Sequence, residues 1–440
     1  VSQVFVNCGF GSALIQKQNA THLDESSVFY ANLILGAIAA SALYCAAPWI
    51  ARFYHQPILV GLTRFMALDL VIGSFGVVQT MLLTKKLDFK TQIKISVAST
   101  LVSGTLAIIM ALKGFGVMSL VAQVLVGDFF STLLLWILQG WRPLLSFSWS
   151  SLREMFPYGS RLFASGLLNS FFNEIYSIVI GKLFDPAMLG FYTRARQMQR
   201  LPVDNLSGIV GRVSFPVFAA IQHDKPALKR GVRKASKGLA WLNIPLMVGL
   251  AVTARPLVVV LLTEKWLPCV PYIQLLCVAG AFYPLSLIHV NALSAQGRSD
   301  LFLRLEIIKK VLTVIAVFAT FQFGVTGLLA GGVVVGLLSY ILNGYYSTTL
   351  FAYSWKEQFI DVLPYMALSA LMGGCVWLAG WLPLAGNLGL LLIQVATGIA
   401  VYALGCWFWQ VTSFVEAIEL VKGKLARFKS LPTASDSSRS

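Results

Sequence analysis

Between residues 154 and 221 the sequence sets Arg161, Glu174, Arg194, Arg196, Arg200 and Arg212, with Asn169, Asn173 and Asn205, inside two otherwise apolar runs. Guanidinium groups offer forked donors that match phosphate oxygens, so arginines spaced along a wet wall suit a phosphate-bearing substrate. The competing use of the same residues is structural, with arginines pairing to acids and helix ends. Helical phase sorts them. Arg194, Asn205 and Arg212 share one stripe, because 11 and 18 residues are close to whole turns. Arg196 and Arg200 lie roughly 160–240° away from that stripe. One set is therefore expected to face a cavity, and we assign that role to Arg194 and Arg212, to which Asn205 adds sugar-binding character. Arg196 and Arg200 are expected to pack inside, beside Glu174. An antiparallel pair folded about Asp185-Pro186 sets Glu174 opposite residue 198, about 18 Å from the turn, and Arg161 opposite residue 211.

Three further acids fall within or near membrane depth: Asp69, Asp128 and Glu306. Buried carboxylates of this kind serve as cation-coupling sites or as capped structural acids. Asp69 and Asp128 are the candidates for coupling, to a proton or to sodium, whereas Lys309 and Lys310 can pair Glu306 at helical spacing. No catalytic residue, metal site or other cofactor is expected. The four histidines form no HExxH pattern, and the six cysteines have neither CxxC nor metal spacing.

The elements that must position these groups are membrane spans. The chain is 57% hydrophobic and 12% charged, with mean hydropathy +0.75, against about 25% charged residues in a soluble domain. Twelve apolar runs are long enough to cross a bilayer: 28–50, 62–83, 93–112, 116–139, 154–181, 187–221, 237–262, 270–295, 303–321, 325–349, 361–382 and 387–409. The segment 1–14 reads as the tail of another. One alternate set of loops, including 222–236 and the tail 410–440, carries 18 Lys+Arg and the other carries 4. The first set is therefore cytoplasmic, which puts the C-terminus there. The net charge of +16 is explained by topology and anionic lipid, so no nucleic-acid partner is expected. Lys237 is expected to reach the cytoplasmic interface by snorkelling.

At an offset of 208 the chain resembles itself: Pro48 falls on Pro256, and Phe115-Gly116-Val117 on Phe323-Gly324-Val325. The four helices from 28 to 139 fall on the four from 237 to 349, a parallel repeat. The expected fold is all-α and polytopic, with two pseudo-symmetric lobes and one extra helix pair. Its parts are residues 1–148 (first lobe), 149–353 (second lobe), 354–411 (extra pair) and 412–440 (cytoplasmic basic tail). The counterpart of 154–221 would lie at −54 to 13, and Val1 is not methionine, so an N-terminally truncated first lobe is expected.

Two segments carry a family resemblance. Gly9-Phe10-Gly11-Ser12-Ala13-Leu14-Ile15-Gln16 is one. The other runs from Asn169 to Asn173 and then through Ile180-Gly181-Lys182, Leu189-Gly190-Phe191-Tyr192-Thr193-Arg194-Ala195 and Ile209-Val210-Gly211-Arg212-Val213-Ser214-Phe215-Pro216. They resemble bacterial polysaccharide (oligosaccharide) flippases, in particular the colanic acid exporter-like branch of the multidrug, oligosaccharidyl-lipid and polysaccharide exporter superfamily. Glu174 departs from the aspartate expected there. The resemblance implies two six-helix lobes around a central cavity. It implies movement of a polyprenyl-pyrophosphate-linked oligosaccharide from the cytoplasmic to the periplasmic leaflet of the bacterial inner membrane. Membrane lipids, a polysaccharide polymerase and glycosyltransferases are the further partners it implies. A drug/cation antiporter of the same superfamily would favour acids over arginines in the second lobe. A polymerase- or ligase-type membrane enzyme would need a catalytic outer loop, and the longest, 51–61, holds one histidine and no acid. A structural scaffold would not need the intramembrane arginines.

Overall fold

The computed structural model describes Leu14, residues 20–382, residues 386–416 and Glu419, leaving aside the side chains of Tyr158, Arg161, Leu162 and Ser299. Most of the 1–14 and 412–440 segments, and the Gly9–Gln16 motif apart from Leu14, lie outside the described residues. All regular structure among the described residues is helical. The chain divides into two compact units, Val1–Lys182 and Leu183–Ser440. The lobe boundary read from the sequence, 148/149, lies earlier.

The first unit holds α1 (His22–Tyr54), α2 (Leu59–Ser74), α3 (Val77–Lys85), α4 (Phe89–Leu112), α5 (Met118–Leu138), α6 (Trp149–Asn173) and α7 (Ile175–Leu183). Its helix starts are written in the sequence. Thr21 and Asp24 form a capping box on α1, Asp88 accepts from the Thr91 amide on α4, and Ser148 accepts from the Ser151 amide on α6. The α5–α6 connector is strapped to the first turns of α1. Trp141 Nε1 donates to Glu25 at 2.7 Å, and the Leu144 and Ser148 amides donate to the Ser26 and Ser27 hydroxyls, each at 2.9 Å.

The second unit holds α8 (Pro186–Ala220), α9 (Lys225–Val252), α10 (Ala254–Leu262), α11 (Val270–Ala295), α12 (Ser299–Thr320), α13 (Gly324–Phe351), α14 (Trp355–Ala379) and α15 (Asn387–Phe408). Asp185 and Asp224 cap α8 and α9. Ser354 and Glu357 form a capping box on α14. The unit's core joins Phe218, Leu239, Ile288, Tyr353, Leu368 and Cys406, drawn from α8, α9, α11, α14, α15 and the turn before α14.

The helix order follows the 208-residue repeat. The offset carries α4 onto 297–320, against Ser299–Thr320 for α12, and α5 onto 326–346, within Gly324–Phe351 of α13. Several expected spans differ from the structure. The run 62–83 is two helices, α2 and α3, bent by 44°. The run 154–181 breaks at Glu174, and 237–262 breaks at Thr253. The loop expected at 222–236 is helical from Lys225. Eight segments among the described residues are apolar and long enough to cross a membrane, nine with the bent pair. One of the eight, Asp300–Phe351, comprises α12 and α13. The expected spans 154–181 and 187–221 do not qualify, because α6 and α8 carry too much charge and amide for their length.

Close approach of α1 and α2 depends on one glycine. A Cβ at Gly36 would lie 2.8 Å from Ser74 Cβ and 3.3 Å from the Leu70 carbonyl, whereas one at Gly61 meets nothing within 4 Å. Gly36→Ala is expected to destabilise the protein by about 1–3 kcal/mol through overpacking. Gly61→Ala is expected to stabilise α2 by about 0.5–1 kcal/mol. Opposite shifts of the unfolding midpoint in detergent would bear this out; a stabilising Gly36→Ala would show that the two helices part freely.

Candidate functional site

The arginine-bearing helix α8 is stiffened against its own unit along one arc. Tyr192, Ala195, Gln199, Val203, Ser207, Ser214 and Phe218 are buried. At 3.6 residues per turn, Arg194, Asn205 and Arg212 lie about 180–200° from the middle of that arc, and all three are exposed. The stripe runs about 27 Å along the helix, close to the roughly 30 Å of a bilayer's hydrocarbon core. Arg194 is steadied by Gln197, 3.0 Å from its NH1, and by Trp266, whose ring centroid lies 5.7 Å from its Cζ. Asn205 and Arg212 bond back to their own helix, to the Leu201 and Gly208 carbonyls at 2.7 and 3.0 Å.

The second set divides. Arg196 is half-buried, its Cζ 6.0 Å from the Tyr192 ring centroid. Arg200, expected to pack inside, is exposed, because position 200 sits at the edge of the buried arc, about 60° from its middle. In the first unit, Asn169 and Asn173 are exposed on α6. Arg161 is on the same helix, with a side chain outside the described residues. Glu174 is the C-cap of α6, and its Oε2 accepts from the Ser177 hydroxyl at 2.7 Å.

Asp69 of α2 and Asp128 of α5 meet. They line one cavity of about 260 Å³, together with Thr80, Ser131 and Thr132. Asp69 is 6% exposed. The sequence marked both acids but could not pair them, since they are 59 residues apart and only the packing of α2 on α5 joins them. Glu306 pairs with Lys309 as helical spacing suggested.

An ionic hub escaped sequence reasoning. Asp361 on α14 receives Arg233 Nε at 2.6 Å and NH2 at 2.8 Å, Lys237 Nζ at 3.0 Å and the Tyr353 hydroxyl at 2.9 Å. Lys229 meets Glu357 at 2.8 Å. Lys237, expected to snorkel, is spent here. The signal was present as two matched four-residue ladders, Lys229, Arg233, Lys237 and Tyr353, Glu357, Asp361. In the same unit, an apolar groove of about 840 Å³ runs among α8, α9, α10, α14 and α15, lined by Leu201, Trp241, Leu246, Leu257, Met372 and Ile399.

Long apolar helices, one pair bent at a break and others interrupted, define a polytopic helical transporter fold. Solved structures share it. The lipid II flippase MurJ in an inward closed conformation aligns with TM-score 0.75 at 16% identity, over 93% of this chain and 89% of that one. An inward-facing multidrug resistance MATE family transporter aligns with TM-score 0.64 at 18% identity, over 80% and 88%. The profile of the polysaccharide biosynthesis protein family matches residues 1–271. The chain belongs to that family, and it is a multi-pass membrane protein. It is 30% identical over 379 residues to the teichuronic acid biosynthesis protein TuaB of Bacillus subtilis (strain 168), covering 84% of this chain and 78% of that protein. It is 26% identical over 401 residues to the lipopolysaccharide biosynthesis protein WzxC of Escherichia coli (strain K12), covering 89% and 77%.

Proposed function

We propose that the protein flips a polyprenyl-pyrophosphate-linked oligosaccharide from the cytoplasmic to the periplasmic leaflet of the bacterial inner membrane by alternating access, with its C-terminus cytoplasmic. The observation that carries this reading is α8: a helix of a membrane protein that turns Arg194, Asn205 and Arg212 away from its packed face. Such a stripe meets a pyrophosphate with guanidinium donors and a sugar with an amide. The 840 Å³ groove has the apolar lining that a polyprenyl tail needs. Flipping of a lipid-linked substrate also agrees with the lipid II flippase that shares the fold. The arginines would repel a cationic drug, which sets the antiporter reading behind this one. The polymerase and the glycosyltransferases of the same polysaccharide would then act after and before the flipping step.

The test is complementation of a flippase-deleted bacterium with the gene, scoring surface polysaccharide and lipid-linked intermediate. Restored polysaccharide with loss of the accumulated intermediate is expected. Continued accumulation, with the protein present in the membrane, would overturn the proposal for that oligosaccharide. Drug resistance conferred without polysaccharide would move the assignment to the antiporter class.

A further inference from the structure

Asp69 and Asp128 are not required by the repeat. Their counterparts at the 208-residue offset are Cys277 and Gly336, in helices that pack without them. Their setting also departs from the repeat. Beside the acids the first unit breaks its helix between Ser74 and Val77, whereas α11 continues unbroken through the matching Tyr283-Pro284. The break is held to α5. Trp136 Nε1 donates to the Phe75 carbonyl at 3.0 Å, and Thr132 Oγ1 lies 3.4 Å from the Ile72 carbonyl. Gly73 and Gly76 line the cavity at the break. Interrupted helices with freed carbonyls are where transporters bind coupling ions.

Two observations identify the ligand. The carboxyls of Asp69 and Asp128 are within hydrogen-bonding reach of one another, and Asp69 Oδ1, in a side chain 94% buried by complement of its 6% exposure, has no hydrogen-bond partner. Two carboxylates bear no hydrogen to share, and like charges in contact cannot both ionise. We propose that Asp69 and Asp128 hold a single proton between them and form the proton-coupling site of this transporter. The inference rests on the transport reading above. The only bond that forms or breaks is O–H: water on one side of the membrane supplies the proton to the pair, and water on the other side accepts it.

No other ionisable group is among the residues that line the cavity. The charged and titratable groups on the adjoining helices are elsewhere: His22, Asp24, Glu25, Tyr30, Tyr44, Cys45, Arg52 and Tyr54 on α1, Arg64 on α2, Lys85 on α3, and Lys90 and Lys94 on α4. Arg64 lies over the Tyr44 ring, 4.6 Å from its centroid. The field on the shared proton therefore comes from the pair itself and from Thr80, Ser131 and Thr132.

The test uses the purified full chain in liposomes. Infrared difference spectra across a pH jump should show a protonated-carboxyl C=O band in the wild type, absent from both Asp69→Asn and Asp128→Asn. Asp128 is half-buried, so its variant answers the question even where Asp69→Asn folds poorly. An imposed pH gradient should speed flipping of a polyprenyl-pyrophosphate oligosaccharide by the wild type, and the ratio of rates with and without the gradient should fall to one in the Asp128→Asn protein, whatever its own rate. A band retained in both variants would overturn the proposal. So would a band displaced by sodium chloride but not potassium chloride, which would make this a sodium site. A band that behaves as expected in a protein that moves no such oligosaccharide supports the proton site and refutes the transport reading instead.

Discussion

Asp361→Ala is expected to destabilise the second unit by about 3 kcal/mol. The carboxylate is 2% exposed and holds Arg233, Lys237 and Tyr353 together. Removing one partner of a buried ion pair costs about 3–5 kcal/mol, because the survivors remain desolvated and unpaired. The lower end applies here, since Arg233 and Lys237 keep 35% and 33% of their side chains exposed and can turn to water. Asp361→Asn keeps an acceptor for the Tyr353 hydroxyl and loses only the charge, so its effect should be smaller. Thermal unfolding of the purified protein in detergent measures both. An unchanged midpoint for the alanine variant would show that α14 is held to α9 by apolar packing alone.

Arg194→Ala is expected to cripple flipping at normal abundance. A guanidinium facing a pyrophosphate in a low-dielectric cavity is a buried charge pair, and truncating one side of such a pair costs about 2–5 kcal/mol. That corresponds to roughly tenfold for each 1.4 kcal/mol. Arg212→Ala should act in the same direction. Since both side chains are exposed, with Arg212 bonded to its own helix, neither loss should unfold the protein. Arg200 is exposed too, so its alanine variant should keep normal abundance, contrary to the packing role that helical phase had suggested. Accumulated lipid-linked intermediate, normalised to membrane protein, is the readout. Wild-type flipping by both Arg194→Ala and Arg212→Ala would remove the stripe from the mechanism.

Hydropathy located much of this fold. The run 270–295 is α11 to the residue, 187–221 misses α8 by one residue at each end, and 387–409 misses α15 by one residue at its C-terminal end. The Arg194, Asn205, Arg212 stripe followed from phase alone. What hydropathy cannot register is interruption. The breaks at Gly76, Glu174 and Thr253 lie inside continuous apolar or mixed runs, where an interruption leaves no mark in composition. The Arg200 expectation failed because a phase argument says which residues lie together, while the width of the buried arc is set by the neighbouring helices. The Asp69–Asp128 pair depended on tertiary packing. The Asp361 hub was legible in its spacing, but the basic half of its partner helix read as a loop.

The charge on α8 has a consequence for synthesis. Each arginine at mid-bilayer raises the cost of insertion by about 2.5–3.5 kcal/mol, so α8 is a poor candidate to enter the membrane on its own. The surface that buries Phe218, including Leu228, Val232 and Leu285, belongs to its own unit, and it is translated after α8. Nascent α8 must therefore wait at the translocon for α9 and α11, and a ribosome stalled before them would leave a hydrophilic helix exposed to the cell's membrane proteases. Demand for arginines in the finished machine thus sets the order in which its pieces become safe.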